Sequence, residues 1–392
     1  MRIYLDNNAT TPLHPAVLGE LNDALREVFG NASSIHKEGQ TARRRIEDAR
    51  ESVARLIGAT AREIVFTSGG TESNNAAIFG VLGASGDGRH HIVTTAIEHP
   101  SVLEPVEELE RRGHSVTRVA PAQSGEVSAA AVIGAIRGET RLVTMMLANN
   151  ETGVIQPVAE VAAACRARGI HFHCDAVQAV GKINVDAKAL NVDSLSVAAH
   201  KLHAPKGIGA LFVRQGLVLE RHLFGGSQER RRRAGTENVP LAVAFGKAAE
   251  LATDLSPLRR ISELRDTLER ELLASDLAIT INGVAARRLP NTSSVTFQGA
   301  DAEGIVIGLD LQGVAVSTGS ACSSGRVEPS HVLRAMGLSD AEARSTVRVS
   351  LSRMTSPEEI ARVVAVLRDV VPRCLRAAGL VARDPRPATR ES

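Results

Sequence analysis

Tryptophan is absent from this sequence, and all the aromatic residues together make up 2% of it. So few flat rings leave little for unpaired bases to stack on, which argues against a single-strand nucleic-acid binder. An excess of either charge is missing too: 46 Lys and Arg against 44 Asp and Glu give a formal net charge of +2. That balance argues against an obligatory role on nucleic acid or another polyanion. Cysteine is scarce. Cys165, Cys174, Cys322 and Cys374 form neither a CxxC pair nor the dense pattern of a disulfide scaffold, and no metal-ligand cluster is expected. The opening MRIYLDNNATTPLHP has no apolar signal core, and no segment supplies the roughly 20 apolar residues that a membrane span needs. The expected setting is the reducing cytoplasm, away from membranes.

What is present is alternation. At 392 residues the chain suits two domains of unequal size. Ile46, Ala49, Val53, Leu56 and Ile57 recur at helical spacing, which predicts an amphipathic helix over Lys37–Ile57. Short apolar runs then alternate with helical ones: EIVFTS before a helix from Thr71, HIVTTAI before a helix from Ser101, RLVTMMLAN before a helix from Val158, then GIHFHCDA. Strands separated by helices pair in parallel through right-handed crossovers, so an α/β domain with its sheet buried on both faces is expected. A further strand over Gly207–Val213 is followed by the basic run Arg230–Arg233 and one long helical pattern from Asn238 to Leu273, a candidate hinge. SSVTFQG, AEGIVIGLDLQG, VAVSTGS and TVRVSLS then suggest a compact α+β domain. Its last helix opens on Ser356, Pro357 and Glu359, a capping box with proline at the first helical position. The Pro/Arg-rich residues 383–392 read as a disordered tail.

In such sheets ligands sit at the carboxyl ends of the strands, so the residues there are the candidates. Lys201, flanked by His200 and His203, could be a Schiff-base lysine with a depressed pKa, or simply a strand-end cation. Asp175 at the tip of HFHCDAVQ could keep the ring nitrogen of pyridoxal phosphate protonated, or could cap the following helix. Gly69, Gly70 and Thr71 open a helix whose free N–H groups could receive a phosphate. His99, after a fourth strand, could stack on a ring or move protons. Cys322 stands in STGSACSSG, where a thiol among small residues is either incidental or kept accessible for its chemistry.

Taken in order, TSGGTESNN, AIEHPSV, NNETGV, HCDAVQ, HKLHAPKGIGAL, RAGTEN, STGSACSSG and VRVSLS resemble, over nearly the whole chain, the cysteine desulfurases of the nitrogen-fixation type. These belong to the class V aminotransferase branch of pyridoxal-phosphate enzymes with the aspartate aminotransferase-like fold, fold type I. YLDNNATTPLHP and FGNASSIHKEG also resemble that family's N-terminal motifs. The resemblance implies a large α/β domain over 15–255 with a mainly parallel sheet of the seven-stranded type. A small α+β domain would comprise 1–14 and 256–382.

For the site it implies that Lys201 carries the cofactor covalently, that Asp175 pairs with the ring nitrogen, that Gln178 reaches the ring hydroxyl oxygen and that His99 stacks on the ring. Gly70, Thr71 and His200 would contact the phosphate, and Thr236 of RAGTEN would reach across from the partner of a homodimer. Arg348 would bind the carboxylate of L-cysteine, with Asn31 and Asn150 nearby. Cys322 would take the substrate's sulfur as a persulfide, leaving alanine. The Ser-Ala-Cys motif is similar to the branch with a long cysteine loop, which implies direct delivery to an iron–sulfur scaffold protein. Arg233 is expected near the site, and Arg230–Arg232 on a solvated face or against an acidic partner. Relatives often carry serine where this chain has Ala198; one lost hydrogen bond to the phosphate costs about 1 kcal/mol of cofactor affinity. The rivals are a selenocysteine lyase or cysteine-sulfinate desulfinase, a class V transaminase, and a non-catalytic sulfur carrier or regulatory homologue.

Overall fold

The computed structural model describes residues 2–86, 88–319 and 328–377; Cys322 and the tail from 383 lie outside the described residues. Twelve strands are present among them: β1 (Ile3–Tyr4), β2 (Ile64–Thr67), β3 (His91–Thr95), β4 (Ser115–Val119), β5 (Thr140–Met146), β6 (His171–Asp175), β7 (Ser194–Ala198), β8 (Gly209–Val213), β9 (Ile279–Ile281), β10 (Thr292–Phe297), β11 (Val314–Ala315) and β12 (Thr346–Ser350).

Seven of these form one sheet in the order β2-β8-β7-β6-β5-β3-β4. β8 alone runs antiparallel to its neighbours β2 and β7; the other pairings are parallel. The near-continuous apolar runs read from the sequence are the strands buried on both faces, as a parallel sheet covered by helices requires. β4 has no such run. It lies at the sheet edge with Ser115 and Arg118 exposed, so its sequence, SVTRV, carries too little apolar signal to announce a strand.

Helices α1 (Pro15–Glu27), α2 (Lys37–Leu56), α3 (Gly70–Ala84) and α4 (Pro100–Arg111) belong to the same body. α2 buries Ile46, Ala49 and Val53 of the expected stripe, with Leu56 half-buried and Ala42 buried in addition, and ends with Ile57 as its cap rather than within it. It packs closely on the helix Val239–Ala252: a Cβ added at Gly246 would lie 2.7 Å from the Ala49 Cα, so only glycine permits this approach. The single helical pattern expected from Asn238 to Leu273 is in fact two helices, Val239–Ala252 and Pro257–Leu273. The break falls before Pro257, which has no N–H to donate to the preceding turn and starts a new helix at its first position.

A second core gathers Leu5, Ile261, Leu268, Val295, Phe297, Val347 and Leu367. Its sheet has the order β12-β10-β9, all antiparallel, and β1 pairs with β11 alongside. The helix Pro357–Ala377 covers it and begins with the expected capping box: Ser356 N donates to Glu359 Oε2 at 2.9 Å, and Glu359 N to Ser356 Oγ at 3.3 Å. The chain's first strand is thus packed with its last third, which brings Asp6, Asn7 and Asn8 to the edge of the large sheet.

Candidate active site

A cavity of about 270 Å³ opens at the carboxyl ends of the parallel strands. Gly70 and Thr71 reach it after β2, His99 after β3, Asn150 after β5, Asp175 and Gln178 from the end of β6, and His200 and Lys201 after β7. Eight residues expected at a ligand are therefore brought together by one sheet edge. At α3 the cap residue Gly69 offers no side chain, so the first-turn N–H groups are available to an anion. Gly70 fits closely here, because a Cβ would come within 2.8 Å of Val177 Cγ2, which would have to shift.

Asp175 is held rigidly. Its Oδ2 accepts from Asn74 Nδ2 at 2.8 Å and its Oδ1 from Val177 N at 3.0 Å. Asn74 also donates to Ser101 Oγ at 2.9 Å, and its Oδ1 lies 3.0 Å from His173 Nε2. Because the Asn74 nitrogen faces a carboxylate, its oxygen must accept, which assigns the proton of neutral His173 to Nε2. Burial holds that imidazole neutral by pushing its pKa down to about 3. A fixed carboxylate, with one hydrogen bond to each oxygen and acceptor capacity left over, therefore faces the cavity.

His99 caps α4 with its Nδ1, accepting from Ser101 N at 3.1 Å and lying 2.8 Å from Ser101 Oγ. That leaves Nε2 to meet a ligand. Its pKa is lowered first by the surrounding protein and then by Lys201 and His331, with Asp175 opposing. His200 lies 3.2 Å from Thr10 Oγ1 through Nδ1, and burial with Lys201 brings its pKa down to about 4. Lys201 donates to the carbonyls of Asn8 and, at 2.7 Å, Ala9. Burial, helped by the Arg348 charge, lowers its pKa to about 8, within reach of the neutral amine a nucleophile needs.

The chain matches the family described as Aminotransferase class-V over residues 3–363. The chain belongs to the class V aminotransferase family. It is similar to a cysteine desulfurase of Nostoc sp., 46% identical over 377 residues, covering 96% of this chain and 94% of that one. It is also 44% identical to the cysteine desulfurase IscS of Dictyoglomus turgidum over 371 residues, 94% of each chain. Among solved structures a NifS-like protein superposes with a TM-score of 0.89 at 36% identity, covering 95% of this chain and 100% of its own. The fold is accordingly that of these type I class V enzymes.

Not every expected residue lines the class V cavity. Arg348, on β12, is 4% exposed; its Nη1 donates to Asn150 O at 3.0 Å and its Nη2 to Asp6 Oδ1 at 2.7 Å, while the buried Nε has no partner. It stands one residue behind the lining, through Asn150. Asn31 lies outside the cavity of the single chain, exposed, with its Oδ1 accepting from Ser33 N at 2.8 Å. Thr236 is exposed outside it too. Of the basic run, Arg233 makes a two-toothed contact with Glu72 at 2.8 and 3.2 Å, one residue from Thr71. Arg230 and Arg232 donate to the Ala61 and Arg62 carbonyls. Cys165 and Cys174 are buried, and burial raises both thiols, the first to about 12, as inert core cysteines require.

Asn8, Asn74, Glu98, Ser101 and Lys182 were not singled out from the sequence. Glu98 is fully buried; burial pushes its carboxyl up to about 8, with Asp175 adding to the effect. Its Oε1 accepts from Thr95 Oγ1 at 2.6 Å and Met146 N at 2.9 Å. Asn8, Asn74, Glu98 and Ser101 lie in the motifs YLDNNATTPLHP, TSGGTESNN and AIEHPSV, but nothing in those motifs says which distant group each one faces.

Proposed function

We propose that this chain is a pyridoxal-phosphate-dependent cysteine desulfurase that converts L-cysteine to L-alanine and transfers the sulfur to Cys322 as a persulfide, for delivery to iron–sulfur cluster assembly. The observation that carries this reading is the convergence of Lys201, Asp175 and His99 on one cavity. Relatives 44–46% identical over nearly the full length are named cysteine desulfurase. The cavity suits the cofactor: a buried carboxylate for a pyridine nitrogen, an amine of lowered pKa for an aldehyde, and a bare helix start, crowded against Val177, for a phosphate. When bound, the pyridinium ring withdraws electrons from the attached amino acid, so that bonds at Cα and Cβ become breakable.

The chain's own residues do the rest. Asp175 keeps the proton on the ring nitrogen, and its bonds to Asn74 and Val177 prevent it from turning away. Lys201 Nζ holds the cofactor, then takes the substrate's Cα proton once released. Arg348 is assigned to the substrate carboxylate: it stands behind Asn150, with its Nε–H unpartnered and its Nη groups on Asp6 and the Asn150 carbonyl. The Cys322 thiolate attacks the substrate sulfur; the S–S bond forms as the Cβ–S bond breaks, the electron pair passes to the substrate carbons, and protonation there gives alanine. Thr236 is assigned to the cavity of a second copy. The exposed Phe29, Ile35, Val218 and Phe224 suit burial in such a homodimer.

The test is alanine and sulfide measured side by side from L-cysteine plus a thiol reductant. Equal amounts from the wild type, and loss of both in Cys322→Ala with the cofactor's colour retained, support the reading. Alanine only when a keto acid is supplied makes the chain a transaminase, and undiminished activity in Cys322→Ala makes it a lyase that needs no loop thiol.

A further inference from the structure

Lys182 lies four residues beyond Gln178 and is buried, yet it does not line the active cavity. It borders instead a separate cavity of about 40 Å³ behind it, shared with Asn7, Asn291 and Lys201. Its Nζ donates to Gln178 Oε1 at 2.8 Å and to Asn8 Oδ1 at 3.0 Å. The charges that bear on it are cations, Lys201 and Arg348, and these with its burial hold its pKa well below the usual lysine range. A lysine so placed is costly to bury and gains no ion pair from these neighbours.

Its effect on Gln178 is specific. The Gln178 amide is gripped at both ends: Oε1 receives Lys182, and Nε2 donates to the main-chain carbonyl of Asn8 at 2.9 Å. A flipped amide would set carbonyl against carbonyl at one end and N–H against N–H at the other. Asn8 is locked as well. Its Oδ1 also accepts from Asn291 Nδ2 at 3.0 Å, its Nδ2 donates to Thr292 Oγ1 at 2.9 Å, and its carbonyl accepts from Lys201. Gln178 Nε2 has two hydrogens, and only one is used by Asn8.

We propose that Lys182 is a positioning residue of the active cavity: from behind, it holds the Gln178 carboxamide so that the second Nε2–H faces a bound ligand, selecting an oxygen acceptor and rejecting a donor. The inference rests on the reading of the cavity as a pyridoxal-phosphate site, where that acceptor is the ring oxygen.

The experiment titrates the full chain, freed of cofactor, with pyridoxal phosphate and with its 3-deoxy analogue, which lacks the ring oxygen, following absorbance. The wild type prefers pyridoxal phosphate. Lys182→Met reduces that preference about fivefold, the equivalent of one neutral hydrogen bond. Gln178→Leu does the same, and the double variant loses no more than Gln178→Leu alone, because Lys182 acts through Gln178. Lys182→Gln, which keeps an N–H donor, restores the preference; it also carries the test if Lys182→Met does not fold, since loss of preference in Lys182→Gln then overturns the inference. An unchanged preference in folded Lys182→Met, or additive losses in the double variant, overturns it with the cofactor reading intact. Failure of the wild type to bind either compound overturns the cofactor reading, and this inference with it.

Discussion

The main chains of Ser317 and Arg348 are joined by two hydrogen bonds: Arg348 N donates to Ser317 O at 2.6 Å, and Ser317 N to Arg348 O at 3.2 Å. The stem of the segment that carries Cys322 is thus tied to the strand whose arginine reaches Asp6 and the Asn150 carbonyl. The proposed carboxylate ligand and the root of the cysteine segment are paired across one antiparallel bridge. This linkage survives any change of the Arg348 side chain.

Arg348→Ala therefore leaves this main-chain link in place and removes the guanidinium with its bonds to Asp6 and the Asn150 carbonyl. The KM for L-cysteine should rise about tenfold to a hundredfold, as expected for one charged hydrogen-bonding group. Steady-state kinetics check this, and a change in kcat alone would contradict the assignment to substrate binding.

Asn74→Asp places a second carboxyl beside Asp175, where the amide nitrogen now lies at 2.8 Å. Two carboxylates at that distance do not both stay ionised, so the pair shares one proton and the site holds a single, no longer fixed, negative charge. Cofactor affinity is expected to fall by an order of magnitude or more, measured by reconstituting the cofactor-free chain. Asn74→Ser, which adds no charge, should lose less.

Lys201, lowered to about 8 by burial and the Arg348 charge, governs the pH dependence of cofactor uptake. The rate at which the cofactor-free chain takes up pyridoxal phosphate should rise with pH through about 8 and level off above it. An ordinary lysine would keep rising to about 10.4. The stability sign follows from the same shift: between about 8 and about 10.4 the unfolded chain holds more protons at this site, so its contribution to stability rises with pH across that window. Uptake rates between pH 6 and 10, with Lys201→Ala as the blank, test the first statement.

Glu229 accepts from Arg50 Nη1 at 2.6 Å, Arg50 Nη2 at 2.9 Å and Phe66 N at 2.9 Å, in the interior. It also begins three successive left-handed residues, Glu229, Arg230 and Arg231, with φ of 45°, 58° and 64°. The buried pair holds that strained turn and so sets Arg233 against Glu72. Glu229→Ala leaves the buried Arg50 with only the half-exposed Glu47 as an ionic partner and should cost about 3 kcal/mol of stability, read from urea unfolding; Arg230→Gly, which relieves strain, should not destabilise.

Much of this molecule is determined by short-range order in the sequence. Apolar runs with β-branched residues specify β2, β3 and β5, alternating Ile170, Phe172 and Cys174 mark β6, and Ser356, Pro357 and Glu359 specify their capping box, because these depend on neighbours a few residues away. Glycine, aspartate, histidine and lysine at the strand ends are likewise visible, since a parallel sheet delivers all such ends to one edge. Pro257, which breaks the long helical pattern, is a local signal of the same kind. Tertiary structure alone decided two other things. It placed β4 at the edge, where polar SVTRV can pair on one side only. It also brought Asn8, Asn74, Gln178 and Lys182 together from 101 or more residues apart in most of their contacts, such as Asn74 to Asp175 and Lys182 to Asn8. A polar side chain in an apolar run shows in sequence that something must satisfy it. Which group does so depends on how distant segments cross, and here that crossing turns a set of isolated polar residues into a wired site.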